Sequence, residues 1–310
     1  MQLFVYSAFS EASQRRLQQA LPADVTITFR TNLPEEQQRP LFEQADVLFG
    51  NPPAAWLTDA APALQFWQID SAGFERYAQL HLGAAVANLG DFFAWPCAET
   101  IVAGILAWYR HIPELAVLQV QKKWVGSPVR LKLGLLRGKR VVILGAGAIG
   151  QAVAQQLSGF QCEVKFLART NPQAQLRSVE ELKAALPQTD LVVNCLPGSA
   201  DKFFSAELIE AMPPGSLYAS VGRGNTTDEA ALLAALQADK LGGAVLDVTA
   251  QEPLPVDNPL WSLPQVLLTQ HTAGGQPGEE DGRIDQFLAN LRRFQQGEPL
   301  ENPIDLSKGY

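Results

Sequence analysis

The sequence predicts an α/β protein built from two doubly wound parallel sheets. Short, nearly continuous apolar runs alternate with polar, helix-like segments, and this alternation occurs twice along the 310 residues. Each apolar run is bounded by Gly, Pro or Asn, which are common turn residues. Strands that are apolar throughout are buried on both faces, as in parallel sheets covered by helices. The chain is long enough for two domains with well-buried cores.

The first alternating series fills about the first ninety residues. Its predicted strands are Leu3–Ser7, Val25–Arg30, Asp46–Phe49, Phe66–Asp70 and Ala85–Leu89. A long apolar helix is expected from Pro96 to about Tyr109. The segment from His111 to Leu133 is expected to be irregular, because proline and glycine interrupt it.

The second series begins at Gly138. Its predicted strands are Arg140–Leu144, Glu163–Ala168, Leu191–Cys195, Leu217–Val221, Gly243–Asp247 and Val266–Thr269. Helices are predicted at Ala148–Leu157, Val179–Leu186 and Thr227–Leu236, and an amphipathic helix at about Asp281–Gln296. Six strands with intervening helices are typical of the dinucleotide-binding fold.

The composition excludes several classes of protein. The chain is 47% hydrophobic and 18% charged, without low-complexity segments, as expected of a compact globular protein. Its net charge of −8 disfavours nucleic acid or an anionic membrane as the main partner. No apolar run approaches the roughly 20 residues that cross a bilayer. The first residues lack the features of a signal peptide, so we expect a cytoplasmic protein.

The cysteine and histidine content predicts neither disulfides nor a metal site. The three cysteines, Cys97, Cys162 and Cys195, are widely separated and odd in number. We interpret them as ordinary buried thiols in a reducing compartment. The three histidines show no metal-ligand spacing relative to these cysteines.

A glycine-rich turn follows the first strand of the second series. Its sequence is Gly-Ala-Gly-Ala-Ile-Gly, and a helical segment comes directly after it. In this context Gly145 would allow a tight turn, Gly147 the approach of a pyrophosphate, and Gly150 close packing of helix on strand. The N–H groups of Ala148 and Ile149 would face the phosphates. A glycine-rich turn without a ligand is the alternative.

The end of the next strand predicts which dinucleotide binds. NAD-binding folds place an acidic residue about 20 residues beyond the glycines, where it binds the ribose 2′-hydroxyl. Here Arg169 and Thr170 stand at that position. An arginine suits a 2′-phosphate, and the threonine hydroxyl could add a donor. We expect NADP to be preferred and NAD to be possible; the alternative is a surface arginine beside bound NAD.

Four polar residues follow later strands of the second series: Arg223, Asp247, Glu252 and His271. The carboxyl ends of parallel strands meet at one edge of the sheet, so these side chains could converge. Reduction of a ketone needs a proton donor, and histidine titrates in the useful range. Glu252 could pair with the imidazolium, and Arg223 could hold a carboxylate and polarise a carbonyl. Taken singly, each residue is also explained as a cap or surface group.

Ordered motifs along the chain resemble one family of enzymes. They are Leu136-Arg137-Gly138-Lys139, Leu196-Pro197, Val221-Gly222-Arg223-Gly224, Leu246-Asp247-Val248, Glu252-Pro253-Leu254-Pro255 and Thr269-Gln270-His271-Thr272-Ala273-Gly274. With these motifs the chain resembles the D-isomer-specific 2-hydroxyacid dehydrogenase family over nearly its full length. The resemblance implies a Rossmann cofactor domain inserted in a flavodoxin-like substrate domain.

The resemblance also implies domain boundaries and an oligomer. Residues 1–98 and 272–310 would form the substrate-binding domain, and residues 99–271 the NAD(P)-binding domain. Within the latter, residues from about 99 to 133 would form a dimerisation arm that exchanges helices with a second subunit about a two-fold axis. We therefore expect a homodimer.

Site residues follow from the same resemblance. Arg223 would bind and polarise a 2-oxo acid, His271 would give the proton, and Glu252 would pair with His271. Ala72 and Gly73 belong to a segment that resembles the loop whose amides grip the substrate carboxylate; a simple strand-end turn is the alternative. The cofactor would also contact Leu196, Pro197, Val221, Gly222, Asp247, His271 and Ala273.

These inferences predict an NADP-dependent reductase of small 2-oxo acids that forms D-2-hydroxy acids. Two residues depart from the common family pattern. Gln270 stands where proline usually precedes the histidine, and Arg169 replaces the acid of NAD-dependent members, as in NADP-using glyoxylate/hydroxypyruvate reductases. The main alternative is a dinucleotide-sensing corepressor or scaffold with negligible turnover. A second alternative is an NAD-dependent enzyme that acts on formate or phosphite.

Overall fold

The structure, a computed structural model, describes residues 1–59 and 63–308. Its internal contacts divide the chain into two compact units. The first unit consists of Met1–Phe92 with Gln276–Tyr310, and the second of Phe93–Gly275. Each unit contains one parallel sheet with helices on both faces, which confirms the predicted α/β class.

The first unit contains a five-stranded parallel sheet. Its strands are β1 (Gln2–Val5), β2 (Thr26–Phe29), β3 (Val47–Phe49), β4 (Phe66–Gln68) and β5 (Ala85–Ala87). Their order across the sheet is β2-β1-β3-β4-β5, the flavodoxin-like order. The helices are α1 (Glu11–Ala20), α2 (Glu35–Phe42), α3 (Ala54–Asp59) and, at the end of the chain, α11 (Glu279–Gln296).

Helix α11 completes the core on one face of this sheet. Its residues Ile284, Phe287 and Leu291 are buried, as their helical spacing requires. The ring of Phe287 stacks on that of Phe49, with 4.5 Å between centroids. Helix α11 is therefore held against β3 by apolar packing.

The second unit contains a six-stranded parallel sheet. Its strands are β6 (Arg140–Leu144), β7 (Glu163–Leu167), β8 (Leu191–Asn194), β9 (Ser216–Ser220), β10 (Leu241–Leu246) and β11 (Val266–Leu268). The order is β7-β6-β8-β9-β10-β11, and Leu176 adds a single parallel bridge beside Leu167 on β7. If that bridge is counted as a short strand, the sheet has the Rossmann strand order. Successive strands are added to one side of β6 and then, from β8 onward, to its other side, so the strand order reverses between β6 and β8.

The second unit contains seven helices. They are α4 (Ala94–Tyr109), α5 (Ile112–Val120), α6 (Ser127–Arg130), α7 (Ala148–Ser158), α8 (Val179–Ala185), α9 (Ala206–Ala211) and α10 (Glu229–Gln237). One core packs α4 and α7 against the sheet, and a second core packs α8, α9 and α10 against the other face. Among the described residues no single helix is long and apolar enough to cross a membrane; α4 and α5 pass that test only as a pair bent by 72°.

The unit boundaries differ slightly from those expected. Residue 98 lies inside α4, and the whole helix belongs to the second unit because Ile101 and Ile105 are fully buried in its core. After residue 271 the chain stays with the second unit through Gly275, because Thr272 and Ala273 donate backbone hydrogen bonds to a carboxylate of that unit.

The segment from His111 to Leu133 was expected to be irregular, and that expectation was wrong for most of it. His111 adopts a left-handed conformation (φ 51°), which ends α4 and allows α5 to begin. Pro113 and Pro128 lie in the first turns of α5 and α6, where a missing N–H breaks no helical hydrogen bond. These prolines begin helices rather than interrupt them.

Candidate active site

The glycine-rich turn between β6 and α7 has the geometry that its sequence predicts. Gly145 has φ +96°, a conformation that residues with a Cβ rarely adopt. A Cβ on Gly150 would overlap the carbonyl oxygen of Gly145, so only glycine lets α7 begin this close to β6. The turn is further held by Gln151 and Asn171, whose amides donate to the carbonyl oxygen of Ala146 at 3.1 and 2.7 Å.

The amino end of α7 is open to a ligand. A Cβ added at Gly147 would meet no atom of the described residues within 4 Å, and Gly147 and Ala148 are exposed, with Ile149 partly buried. Within the same described residues, no side chain caps this helix end. An uncapped helix amino terminus with room before it suits a pyrophosphate. The turn therefore fits a dinucleotide.

The end of β7 presents two arginines. Arg169 and Thr170 are exposed directly after the strand, as the sequence predicts. Sequence reasoning did not single out Arg177, which donates from its guanidinium to the carbonyl oxygens of Arg169 and Pro172, both at 3.4 Å. The backbone N–H of Arg177 is in turn bound by Glu181 at 2.6 Å. Two guanidinium groups thus lie on the loop where the 2′-phosphate of a ribose would bind.

Arg223 is placed by a loop packed tightly between two other segments. Gly222 lies against the backbone of Leu196, and a Cβ on Gly224 would overlap the carbonyl oxygen of Thr249. Neither glycine could therefore be replaced without moving the loop. The guanidinium of Arg223 donates to the carbonyl oxygen of Gly222 at 2.9 Å and remains partly exposed.

Asn194, at the end of β8, organises this loop and was missed by the sequence analysis. Its side chain is fully buried and donates to the hydroxyl of Thr226 at 2.8 Å, and that hydroxyl donates to the carbonyl oxygen of Arg223 at 2.6 Å. Its own amide oxygen accepts from the N–H of Leu196 at 3.0 Å. The only sequence signal was a polar residue at the end of an otherwise apolar strand.

Asp247 holds the turn that carries the histidine. Its buried Oδ1 accepts from the hydroxyl of Thr269 at 2.6 Å and from the N–H groups of Thr272 and Ala273 at 3.1 and 3.2 Å. Its backbone carbonyl accepts from the N–H of His271 at 2.6 Å. The end of β10 thereby fixes the chain after β11 at four points.

His271 and Glu252 form a direct pair. Imidazole Nδ1 lies 2.6 Å from Oε2 of the glutamate, and the second oxygen of Glu252 accepts from the N–H of Thr249 at 3.0 Å. Both oxygens are thus engaged, so the carboxylate has one orientation. The His271 side chain remains 52% exposed, as a group that must reach a substrate requires. A cavity of about 400 Å³ lies beside the pair, with Trp261 and Leu268 in its wall.

The turn before His271 has an uncommon backbone. Gln270 and His271 both have φ 54°, in the left-handed region. Proline is held near φ −65° and cannot adopt this conformation. The departure from the usual proline at this position therefore agrees with the observed turn.

In the first unit, the predicted substrate loop follows β4 and is held by side chains from three segments. Asn51 accepts from the N–H of Asp70 at 2.9 Å and donates to the hydroxyl of Ser71 at 3.2 Å. That hydroxyl donates to the carbonyl oxygen of Gly73 at 2.6 Å. Asn88 donates to the carbonyl oxygen of Ala72 at 2.6 Å. The loop is therefore held in one conformation, and the carbonyl oxygens of Ala72 and Gly73 accept hydrogen bonds from side chains of the first unit.

The cysteines are not suited to act as nucleophiles. All three are free thiols. Burial raises the pKa of Cys97 to about 12, with a contribution from the Asp247 carboxylate, and burial likewise raises the pKa of Cys195 to about 12. Within residues 1–59 and 63–308, no group of three His, Cys, Asp or Glu side chains is placed to hold a metal ion.

The second unit thus brings Arg223, Asp247, Glu252 and His271 to the carboxyl edge of one sheet, together with the glycine turn. Residues 102–273 match the family model described as the D-isomer specific 2-hydroxyacid dehydrogenase NAD binding domain. Glyoxylate/hydroxypyruvate reductase A of Salmonella heidelberg (strain SL476) is 33% identical over 219 residues, 68% of each chain.

Solved structures agree over the whole length. A D-isomer specific 2-hydroxyacid dehydrogenase family protein from Aeromonas salmonicida is 29% identical, with a TM-score of 0.84 over 98% of this chain and 99% of that one. The enzyme from Xanthobacter autotrophicus Py2, in complex with NADPH and MES, is 27% identical, with a TM-score of 0.81 over 99% of both chains. This chain belongs to the D-isomer specific 2-hydroxyacid dehydrogenase family.

Proposed function

We propose that this NAD(P)-dependent dehydrogenase reduces small 2-oxo acids to D-2-hydroxy acids, with NADPH as its preferred reductant. The observation that carries the proposal is the His271–Glu252 pair on the same sheet edge as Arg223 and the glycine turn. That set supplies a proton donor, a carboxylate-binding cation and a dinucleotide site in one unit. A ligand-sensing scaffold would need the dinucleotide site alone.

The nicotinamide, when bound, supplies the hydride that reduces the carbonyl carbon. His271 donates the proton that the resulting alkoxide requires. Because Nδ1 is engaged with Glu252, the other ring nitrogen, Nε2, is the one that faces the substrate oxygen. Arg223 binds the substrate carboxylate and, by its charge, polarises the neighbouring carbonyl. Asp247 keeps the His271 turn in place through its four hydrogen bonds.

For the cofactor, we propose that the β7 loop selects NADPH. Arg169 would bind the 2′-phosphate by charge-assisted hydrogen bonds, with Thr170 as an additional donor. Arg177 raises the positive charge of the same loop. The Asp or Glu that binds the ribose 2′-hydroxyl in NAD-dependent enzymes is absent at this position. Such a carboxylate would repel a 2′-phosphate. The Xanthobacter relative, crystallised with NADPH, supports this preference.

For the substrate, we propose glyoxylate or hydroxypyruvate and similar small 2-oxo acids. The reductase A from Salmonella, named for these two compounds, is the relative that supports this choice. The backbone amides of Ala72 and Gly73 would bind the substrate carboxylate. We propose the reductive direction as the physiological one.

We also propose that the enzyme is a homodimer. Several large apolar side chains between residues 112 and 131 are exposed: Trp124 by 99%, Leu131 by 86%, Val120 by 83% and Val117 by 56%. A second copy of this chain would cover them, with the segment as the dimerisation arm. Light scattering on the purified protein would give twice the chain mass, and a monomer at micromolar concentration would refute the dimer.

The activity is tested by following NADPH oxidation with glyoxylate, hydroxypyruvate, pyruvate and phenylpyruvate, and by repeating the panel with NADH. We expect turnover with NADPH, and a higher kcat/KM with glyoxylate or hydroxypyruvate than with phenylpyruvate. Binding of NADPH without turnover of any 2-oxo acid would refute the enzymatic proposal and favour the dinucleotide-sensing alternative.

A further inference from the structure

A buried ion pair lies at the carboxyl edge of the first sheet. Nη1 of Arg283, on α11, lies 3.2 and 3.1 Å from the two carboxylate oxygens of Asp70, which follows β4. The two side chains are 16% and 9% exposed. The hydroxyl of Ser7, after β1, donates to the same carboxylate at 2.6 Å. The ion pair therefore connects α11 to the segments that follow β4 and β1.

Two further contacts surround the guanidinium of Arg283, although its buried Nε has no hydrogen-bond partner among the described residues. Its guanidinium lies over the ring of Phe9, 5.1 Å from the centroid. Its Nε lies 3.8 Å from Oε1 of Glu279, one helical turn earlier on α11. Nη1 of Arg283 contacts both carboxylate oxygens of Asp70, and the hydroxyl of Ser7 donates to one of them. The carboxylate of Asp70 therefore has one defined orientation.

Asp70 directly precedes the substrate loop. The N–H of Asp70 is held by Asn51, so both its backbone and its side chain are fixed. The next residues are Ser71, Ala72 and Gly73, whose carbonyl oxygens are satisfied by other groups of the first unit. Because these carbonyl oxygens already accept hydrogen bonds, the backbone N–H groups of the loop are the polar groups available to a ligand. The direction in which these N–H groups point depends on the position of Asp70, where the loop begins.

We propose that Arg283, acting through Asp70, is a positioning residue for binding of the substrate carboxylate. This inference rests on the proposed function, in which the amides of Ala72 and Gly73 bind that carboxylate. Neither side chain of the pair contacts the substrate. Weakening one hydrogen bond to a charged group changes an affinity by about tenfold, so a small shift of the loop start is sufficient for a measurable effect on KM.

The test replaces Arg283 and measures substrate and cofactor parameters separately. Arg283→Met keeps the apolar length of the side chain and removes the charge. We expect KM for glyoxylate to rise about tenfold or more because the carboxylate is bound less well. The kcat at saturation and the Kd of NADPH, from nucleotide fluorescence, should be unchanged. Arg283→Lys should restore part of the lost affinity because it keeps one charged donor.

Arg293→Met is the matched control. Arg293 lies on the same helix and forms an ion pair with Glu301 at 2.8 Å, but its side chain is 38% exposed and lies away from the loop. This variant should leave every kinetic parameter unchanged. An equal loss of kcat and NADPH affinity in Arg283→Met would indicate a general structural role and overturn the proposal.

Ser7→Ala covers the case in which Arg283→Met does not fold. This change removes only the hydroxyl that donates to Asp70. A smaller rise in KM for glyoxylate, with unchanged kcat, is expected. An unchanged KM in a folded Arg283→Met, or in Ser7→Ala where Arg283→Met does not fold, would refute the positioning role. Absence of turnover in the unaltered enzyme would instead refute the proposed function.

Discussion

Nδ1 of His271 lies 2.6 Å from Oε2 of Glu252, and Oε1 of that glutamate is held by the N–H of Thr249. The carboxylate therefore cannot rotate without breaking a second hydrogen bond. It fixes the imidazole ring and leaves Nε2 as the ring nitrogen available to a substrate. Asp247 fixes the backbone of the same histidine through its carbonyl oxygen. The segment that follows β10 thus holds both the side chain and the main chain of His271.

His271→Ala should lower kcat by about 10²- to 10⁴-fold, because it removes the proton donor. Glu252→Gln should lower the same parameter less, since the amide can still meet the ring but no longer stabilises its charged form. Steady-state rates with NADPH and glyoxylate measure both effects. The matched control is Glu114→Gln, which alters an equivalent pair with His111 at 3.0 Å. If kcat is unchanged in His271→Ala, the proposed mechanism is wrong.

Arg169→Asp should shift the cofactor preference toward NADH. The substitution removes charge-assisted hydrogen bonds to a 2′-phosphate and adds a carboxylate that can bind the ribose hydroxyls. A loss of about ten- to a hundredfold in kcat/KM for NADPH is expected, with a gain for NADH. The ratio of the two kcat/KM values is the measurement. Arg137→Asp, an exposed change away from this loop, serves as the control. An unaltered ratio would remove Arg169 from cofactor selection.

Local patterns predicted the parts of the fold that depend on neighbours in sequence. The glycine turn, the run of apolar strands and Arg169 at the end of β7 could all be read within a few residues. The predicted strands often extended one or two residues too far, as at Asp70 and Asp247. The carboxylates of these two residues bind groups outside the sheet, namely Arg283 on α11 and the hydroxyl of Thr269.

Contacts between distant segments could not be predicted in this way. Asn194 reaches Thr226, and Asp70 meets Arg283 across 213 positions of sequence. Such pairs depend on which loops the sheets bring to the same edge. Spacing along one sequence carries no information about that geometry. The pairing of Glu252 with His271 is an exception: both residues follow strands whose carboxyl ends were expected to share one edge, and the family resemblance implied the same pair.

Gln270→Pro should impair the enzyme, whereas Gln270→Gly should not. Gln270 has φ 54°, and proline would force this residue to about −65° and redirect the following histidine. Glycine adopts the left-handed conformation without the strain of about 1 kcal/mol that a residue with a Cβ has there. This gain in stability is offset by the larger conformational entropy of glycine in the unfolded chain. We expect a lower kcat for the proline variant and near wild-type kcat and stability for the glycine variant. Full activity of Gln270→Pro would show that the turn tolerates another backbone.

Unfolding of Arg283→Met should depend on pH through Asp70. Burial raises the pKa of Asp70 above its ordinary value, while Arg283 and Ser7 act to lower it. Because the folded state then binds a proton more tightly than the unfolded chain, the carboxyl group's contribution to stability falls as pH rises through that interval. Removing Arg283 deletes an opposing effect, so the pKa of Asp70 rises further and the loss grows as pH rises above the ordinary pKa of an aspartate, about 4.

We therefore expect Arg283→Met to lower the free energy of unfolding by about 3–5 kcal/mol at neutral pH, since it leaves an uncompensated buried charge. The loss should be smaller near pH 4 than at neutral pH, because the raised pKa of Asp70 keeps more of this carboxyl group uncharged at the lower pH. Adding Asp70→Asn should recover part of the stability and remove the pH dependence, because the amide carries no charge to bury. Urea unfolding of the single and double variants at both pH values measures these differences. A loss independent of pH, or a double variant no more stable than Arg283→Met, would show that the buried carboxylate is not its cause.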